Sequence, residues 1–416
     1  MKMGDGIIHL CFISKPINQG QLLLIYKYMP QTVHPYRDIT IRFPGQVIVG
    51  KNSLLKLTDE VTGKGYKSAL IVTISPLLSK LEPLLAQFKE AGVAVHVDTS
   101  IVREPSFKDF EDLLASVKHT EADVIIGIGG GSVLDVAKLI AAQIDNDQTL
   151  ADVTGIGLLK NRTKKLICVP TTAGTGSEAS PNAILIDDAD NQKKGIISPY
   201  LVPDVVIIDP ALMISLPAEV TAATGLDALT HCLEAYTNLY AHPFIDMYAL
   251  EGIRLIADNL VKAVIDGTDE DARTQLAIGS LMGGFCLGPV NTAGVHALSY
   301  PLGSLYHIAH GLSNALLLPF VMEYNIPAAP ERYAAVARAL GCNSSINDFE
   351  TAYAGVEKIR QLISECRIPA SLKEIDIDKN TIPQMAADAM KITRLLKNNP
   401  RPINIDDAVS IYEAAY

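Results

Sequence analysis

The sequence lacks paired cysteines: Cys11, Cys168, Cys232, Cys286, Cys342 and Cys366 are scattered, with no C-x-x-C spacing among them. This excludes a disulfide framework and reads as buried thiols in a reducing compartment. Charge is sparse, at 19% of residues against 48% hydrophobic, which excludes a disordered chain and fits a well-buried globular enzyme. Positive excess is also missing. The net charge of −11 argues against nucleic acid or an anionic membrane as the main partner, so an anionic ligand must be held by local donors. No apolar run is long enough to span a bilayer. The short stretch Ile7-Ile8-His9-Leu10-Cys11-Phe12-Ile13 has neither a charged flank nor a small-residue cleavage site, so no signal peptide is expected and a cytoplasmic location is the default.

At 416 residues the chain exceeds one ordinary core, and two domains are expected. Residues 1–36 carry no clear pattern: they read as an added edge strand or as sequence outside the fold. Ile39–Pro44 alternates like a strand and Gln46–Gly50 is a second one. Helical and apolar β-branched segments then alternate. Helices are expected over 54–62, 77–91, 107–118 and 133–143, and strands over 68–73, 93–97, 123–128, 166–170 and 205–209. Such alternation predicts a parallel α/β sheet covered on both faces. Segments 183–186 and 195–198 flank a polar turn and read as a small hairpin. After Asp209-Pro210 only helix signals remain, with Ala-rich stretches at 218–236, 271–288 and 333–341. Pro217 sits where a first-turn proline belongs. The fold class is therefore α/β plus all-α, with units 1–36, 37–214 and 215–416.

Two strand-to-helix turns carry anion-binding chemistry. Gly129-Gly130-Gly131-Ser132 precedes a helix bearing Asp135 and Lys138. Glycines there let backbone N–H groups approach a pyrophosphate at a helix N-terminus. The pattern is neither G-x-G-x-x-G nor a Walker A loop, and a tight turn without ligand is the competing reading. Thr171-Thr172-Ala173-Gly174-Thr175-Gly176-Ser177-Glu178 is a second such turn after a strand. Both would face one crevice at the strand C-termini, where open α/β sheets bind ligands. Lys193 on the hairpin offers one positive contact.

The stretch from Thr224 to Pro319 holds the metal-type chemistry. Asp227 and His231 stand four apart in a helical pattern, so their side chains leave one helix face about a turn apart and can share a divalent cation. His296 and His310 could close the shell from a second helix and the turn after it. Hydrogen-bonded core histidines are the bland alternative, but one window supplies a whole ligand set. Cys232 projects away from the His231 face and reads as packing.

These pieces, with Gly225-Leu226-Asp227-Ala228-Leu229-Thr230-His231, His296-Ala297, His310-Gly311, Asn314 and Asn399-Pro400-Arg401-Pro402, together resemble the iron-dependent (group III) alcohol dehydrogenase family over roughly residues 38–416. The resemblance implies a nucleotide-binding α/β domain and a helical metal-binding domain of the dehydroquinate synthase-like fold, with the active site between them. It implies Asp227, His231, His296 and His310 as metal ligands, the glycine turn with Ser132 at the pyrophosphate, and Asp135, Thr171, Thr172, Thr175 and Lys193 along the dinucleotide. It further implies iron(II), with zinc as the alternative, NAD or NADP, and interconversion of primary alcohols or diols with aldehydes or ketones. A homo-oligomer, most simply a dimer, is the expected assembly.

Two positions depart from the family. Where many members carry a proton-relay histidine, four residues after the third ligand, this chain has Tyr300. A phenol donates a hydrogen bond but is a poor base near neutral pH, so proton exchange is expected through Tyr300, His307, the cofactor ribose or water. Ile74 replaces the aspartate that many NAD-preferring members carry after the strand ending in Val72-Thr73, removing a barrier to a 2′-phosphate without adding a positive partner. No charged group is evident in a pocket including Phe285, Leu287 and Tyr300, so a small neutral alcohol or aldehyde is the expected substrate, and the lack of Lys or Arg from Val290 to Pro319 counts against a lyase acting on an acidic one. The rivals are a dehydroquinate synthase-like lyase, a hydroxyacid-oxoacid transhydrogenase that retains its nucleotide, and a scaffold with a degenerate site.

Overall fold

The computed structural model describes residues 37–345 and 347–416; both readings of 1–36 lie outside the described residues. The N-terminal half is built on β1 (Gln46–Val49), β2 (Ser68–Val72), β3 (Ala94–Asp98), β4 (Val124–Gly129), β6 (Lys165–Pro170) and β9 (Val205–Ile208). They form a sheet in the order β1-β9-β6-β4-β2-β3, parallel at every neighbouring pair. The connecting helices are α1 (Leu57–Thr62), α2 (Leu78–Glu90), α3 (Phe107–Val117) and α4 (Gly131–Gln143).

Strand periodicity assigns the two faces. Leu70, Val72 and Ile125 pack with Phe110 of α3 and Leu134 and Ala137 of α4. Their neighbours Ala69, Ile71, Val124 and Ile126 turn the other way, onto Leu57 of α1 and Leu81, Leu84 and Phe88 of α2. Both faces are thus covered, and β4 is buried along its whole length. Gly127 has to be bare: a Cβ there would lie 2.7 Å from the Ala137 Cβ, so α4 packs directly on β4. A short helix α5 (Leu150–Val153) leads to β5 (Gly155–Ile156), which joins a second sheet with the antiparallel hairpin β7 (Asn182–Asp187) and β8 (Gln192–Ile197).

From α6 (Ala218–Thr237) onward the chain is helical: α7 (Pro243–Ile265), α8 (Glu270–Leu287), α9 (Gly294–Tyr306), α10 (His310–Asn325), α11 (Pro330–Ala339), α12 (Asp348–Glu365), α13 (Ile382–Ala389), α14 (Thr393–Leu396) and α15 (Ile405–Ala414). Their buried faces share one core, which also takes in Ala173, Ala179, Val206 and Ile208 from the sheet half. The two halves are therefore joined by a continuous apolar contact behind the strand C-termini. No helix among the described residues is long and apolar enough to cross a membrane.

The strand expected over 39–44 is not formed. Ile39 and Ile41 pack on the helical core, Phe43 stacks edge-on to Phe285 with ring centroids 4.8 Å apart, and Arg37 donates to the carbonyls of Tyr240 and Pro289. Alternation reported burial correctly there, but the partner is a helical surface rather than a sheet edge.

Candidate active site in the interdomain cleft

A cleft of about 1120 Å³ separates the halves, lined from the sheet side by Gly131, Ser132, Asp135, Thr175, Ser177 and Lys193 and from the helical side by Asp227, His231, His296, Tyr300 and His310. The glycine run ends β4, and Gly130 is the extended residue that precedes α4. A Cβ on Gly131 would come within 2.6 Å of Thr175, so the two turns touch and present their backbones together. Gly129, Gly130, Thr171 and Thr172 lie in those turns behind the lining: the Thr171 N–H donates to the Gly129 carbonyl at 2.9 Å, and Thr172 is the neighbour that a Cβ on Gly130 would meet.

Asp135 borders the cleft, but its carboxylate is engaged. It accepts from Ser177 Oγ and from the Ile184 N–H at 2.9 Å, and Lys138 Nζ stands 3.5 Å away. Burial raises its pKa, against the pull of Lys138, Ser177 and Ile184. The fully buried Lys138 ammonium donates to the Ser177 carbonyl at 2.8 Å, to Ser177 Oγ at 3.0 Å and to the Asn182 carbonyl. This pair ties α4, the second turn and the hairpin together. Ser177 and Asn182, not singled out by motif reading, are its other members.

Glu178 is 2% exposed, and burial lifts its pKa to about 7 against a backbone hydrogen bond and Lys138. Since this folded value lies above the usual 4.5, folding takes up a proton. The stability it contributes is complete below pH 4.5 and is lost as pH rises to 7. Glu178→Gln is therefore expected to gain on wild type between pH 5 and pH 8, by up to about 3 kcal/mol. Thermal unfolding at the two pH values checks this; equal pH slopes would refute it.

On the helical side, α6 presents Asp227 and His231 one turn apart, α9 supplies His296, and His310 opens α10 rather than lying in the preceding turn. One ligand atom from each of Asp227, His231 and His296 falls within 4.8 Å of the others, and all three residues are buried. Asp227 Oδ1 is central: the Nε2 atoms of His231, His296 and His310 stand 3.7, 3.6 and 3.8 Å from it. Burial would raise Asp227, but the three imidazoles outweigh it and hold the carboxyl well below the usual carboxylate range. Burial lowers His231 and His310, and Lys193 adds to the effect on His310. Burial also works against protonated His296, yet Glu234 and Asp227 raise its pKa to about 10.

Two further residues complete this arrangement. Glu234 accepts from the backbone N–H groups of Ala293 and Val295, at 3.0 and 2.5 Å, and contacts His296 Nδ1 at 2.6 Å. A proton on Nδ1 leaves Nε2 facing the cluster. Asn314 Nδ2 lies 2.7 Å from Asp227 Oδ1 and 3.2 and 3.3 Å from the Nε2 atoms of His296 and His310, while its buried Oδ1 has no partner. Spacing along α6 placed Glu234 seven residues after Asp227, on the same face, which was a usable signal. Cys232 turns away: its Sγ abuts Gly252 of α7, and burial pushes its pKa up to about 12.

Other expectations meet different surroundings. Tyr300 lies in the cleft, its ring 5.9 Å from that of His310. His307 does not join it: this residue is exposed, caps α9 with φ +56 and is absent from the cleft lining. Leu287 lines the cleft, but Phe285 packs instead with Phe43 and Tyr248. The pocket is not free of charge either, because Arg367 and Arg394 reach it from distant segments. Lys193 is paired with Glu104 at 2.7 Å.

The family model described as iron-containing alcohol dehydrogenase matches residues 44–210, and that for the C-terminal part of the Fe-containing alcohol dehydrogenase family matches 221–416. The chain belongs to the iron-containing alcohol dehydrogenase family. It is 40% identical to long-chain-alcohol dehydrogenase 1 of Geobacillus thermodenitrificans (strain NG80-2), over 90% of this chain and 96% of that protein. Among solved structures, 1,3-propanediol oxidoreductase superposes with a TM-score of 0.88 at 34% identity, over 91% of this chain and 100% of that one. The sulfoacetaldehyde reductase from Bifidobacterium kashiwanohense, in complex with NAD+, gives 0.82 at 26% identity, over 91% and 99%. The sheet-plus-helices architecture is that of this family of iron-containing alcohol dehydrogenases, and the protein is an alcohol/aldehyde oxidoreductase of that type.

Proposed function

We propose that the chain reduces a small aldehyde, or oxidises the corresponding primary alcohol, with Asp227, His231, His296 and His310 holding a divalent metal and the two glycine-rich turns holding NAD(H). One observation carries this reading: the buried carboxylate–imidazole cluster borders the same cleft as the N-terminus of α4. The donor set fits the metal. One carboxylate and three imidazoles are a hard-to-borderline set suited to iron(II) or zinc rather than to a thiolate-seeking ion. Two buried acidic side chains, Asp227 and Glu234, also call for a compensating cation. Bound there, such an ion supplies Lewis-acid polarisation of the substrate oxygen; NAD(H) supplies or accepts the hydride.

The protein's own groups do the positioning. Glu234 fixes the His296 ring and so the direction of Nε2. The N–H groups at the start of α4, with Ser132 and Thr175, offer donors to the pyrophosphate in an otherwise acidic protein. Tyr300 Oη accepts from Arg394 Nη2 at 3.0 Å, leaving its own O–H free to donate to the substrate oxygen. Apolar Leu287 on the wall limits water around the reacting carbon. The domain units 37–214 and 215–416 place the cleft at their junction. We assign the protein to the cytoplasm as a homodimer; the sheet edge at β1, unpaired among the described residues, with exposed Val47 and Val49, supports an association through that edge.

Stripping the metal with chelator, reloading with iron(II) or zinc and following NADH and NADPH oxidation with short aldehydes tests this reading. Metal-dependent turnover is the expected result. Bound metal and nucleotide without turnover of any aldehyde would overturn it in favour of the transhydrogenase or lyase-type chemistry.

A further inference from the structure

We propose that Arg394 and Tyr300 form an oxyanion subsite, so that the preferred aldehyde carries a carboxylate or similar oxyanion at the end remote from its carbonyl. This rests on the function proposed above and names the substrate class within it. Arg394 comes from α14, far along the chain from the ligand cluster, and its side chain lines the cleft. It is half-buried, and its one hydrogen bond among the described residues is the 3.0 Å contact from Nη2 to Tyr300 Oη. A guanidinium has five N–H donors in a planar fork, so most of its capacity is unspent.

Several other half-buried or buried cations spend their donors within the fold. Arg332 makes a two-point contact with Asp246 at 2.7 and 2.8 Å. Arg162 meets Asp204 at 2.7 Å, and Arg273 donates to Thr221 Oγ1 and to the carbonyls of Gly267 and Leu216. Lys193 and Lys138 are paired as described. Among the described residues Arg394 has no carboxylate within ion-pair distance, in a chain of net charge −11. Arg273 also lacks a carboxylate but places three N–H groups on neutral acceptors, whereas Arg394 is half-desolvated with most of its donors unspent, a state that an anionic ligand would relieve.

The placement suits a bifunctional substrate. Tyr300 stands one helical turn after His296 and its ring is 5.9 Å from that of His310, so the guanidinium lies about one side chain beyond the ligand cluster. The guanidinium reaches across to β8: a Cβ built on Gly195 would stand 3.9 Å from Arg394 Nη2 and 3.3 Å from Ile184 Cδ1, so the bare glycine lets the arginine approach that strand. Lys193, two residues back on the same strand face, is held by Glu104 at 2.7 Å, which leaves Arg394 as the cation with donors to spare at that wall of the cleft. A carboxylate fits the guanidinium fork with paired N–H···O bonds, while the aldehyde end of a short chain reaches toward Asp227 and the histidines.

The test compares kcat/KM of the metal-loaded enzyme for 4-oxobutanoate and for butanal with NADH, in wild type, R394K and R394Q. Calorimetric binding of succinate, an unreactive dianion, runs alongside. Wild type is expected to prefer 4-oxobutanoate by at least about tenfold. That ratio should fall roughly 10- to 100-fold in R394Q and partly recover in R394K, with succinate affinity following the same order. If butanal and 4-oxobutanoate are turned over with a ratio that R394Q leaves unchanged, the subsite is refuted while the dehydrogenase reading stands. If no aldehyde reacts, the function reading falls. The succinate dissociation constants then decide the subsite on their own: weaker binding in R394Q upholds it, and equal binding ends it.

Discussion

Asp227→Asn is expected to strip the protein of tightly held metal and to lower kcat/KM by about three orders of magnitude, while leaving the fold intact. The carboxylate is the point on which the cluster converges, with three imidazole nitrogens 3.6–3.8 Å from Oδ1 and Asn314 Nδ2 2.7 Å away. Asparagine has nearly the same volume, so packing around the 3% exposed side chain survives. What changes is charge: the amide removes the negative ligand, and in one of its two orientations sets its NH2 against the Asn314 NH2. Iron content after gel filtration, activity and melting temperature separate the effects. Full metal retention with wild-type turnover would remove Asp227 from the ligand set. Collapse of the melting temperature alone would make it a structural residue.

Most of the sheet was legible because a parallel strand buried on both faces is a run of β-branched residues, and Asp123–Ile128 is such a run. The pairing of Asp227 with His231 was legible because helix geometry converts a four-residue spacing into proximity. Residues whose roles depend on long-range packing were not. Arg394 meets Tyr300 across 94 positions, and no local pattern announces that contact, so the pocket read as neutral. Motif spacing does not identify the helical residues of the pocket, and Phe285, expected there, has a helix face that turns it onto Phe43 and Tyr248. Ile39–Phe43 illustrates the same limit: alternation reveals which side is buried, not whether a strand or a helix covers it.

Gly284→Val is expected to destabilise the protein by about 3 kcal/mol or more, lowering the melting temperature by roughly 6–12 °C. Gly284 of α8 lies against the turn after β6: a Cβ on it would fall 2.4 Å from the Gly176 carbonyl oxygen and 3.0 Å from the Ala179 Cβ. Seen from the other side, Gly176, held at φ +60, would place its own Cβ 2.5 Å from the Gly284 Cα. These are backbone atoms, so no rotamer change relieves the clash and one of the two segments has to move. The segment free to move is the turn, and it carries Thr175 on the cleft wall and Ser177, which holds Lys138 and Asp135. A loss of NADH affinity should therefore accompany the loss of stability, and Gly284→Ala should show both in smaller measure. Calorimetric unfolding with NADH titration distinguishes this from simple overpacking: destabilisation with unchanged NADH affinity would mean that α8, not the turn, gives way.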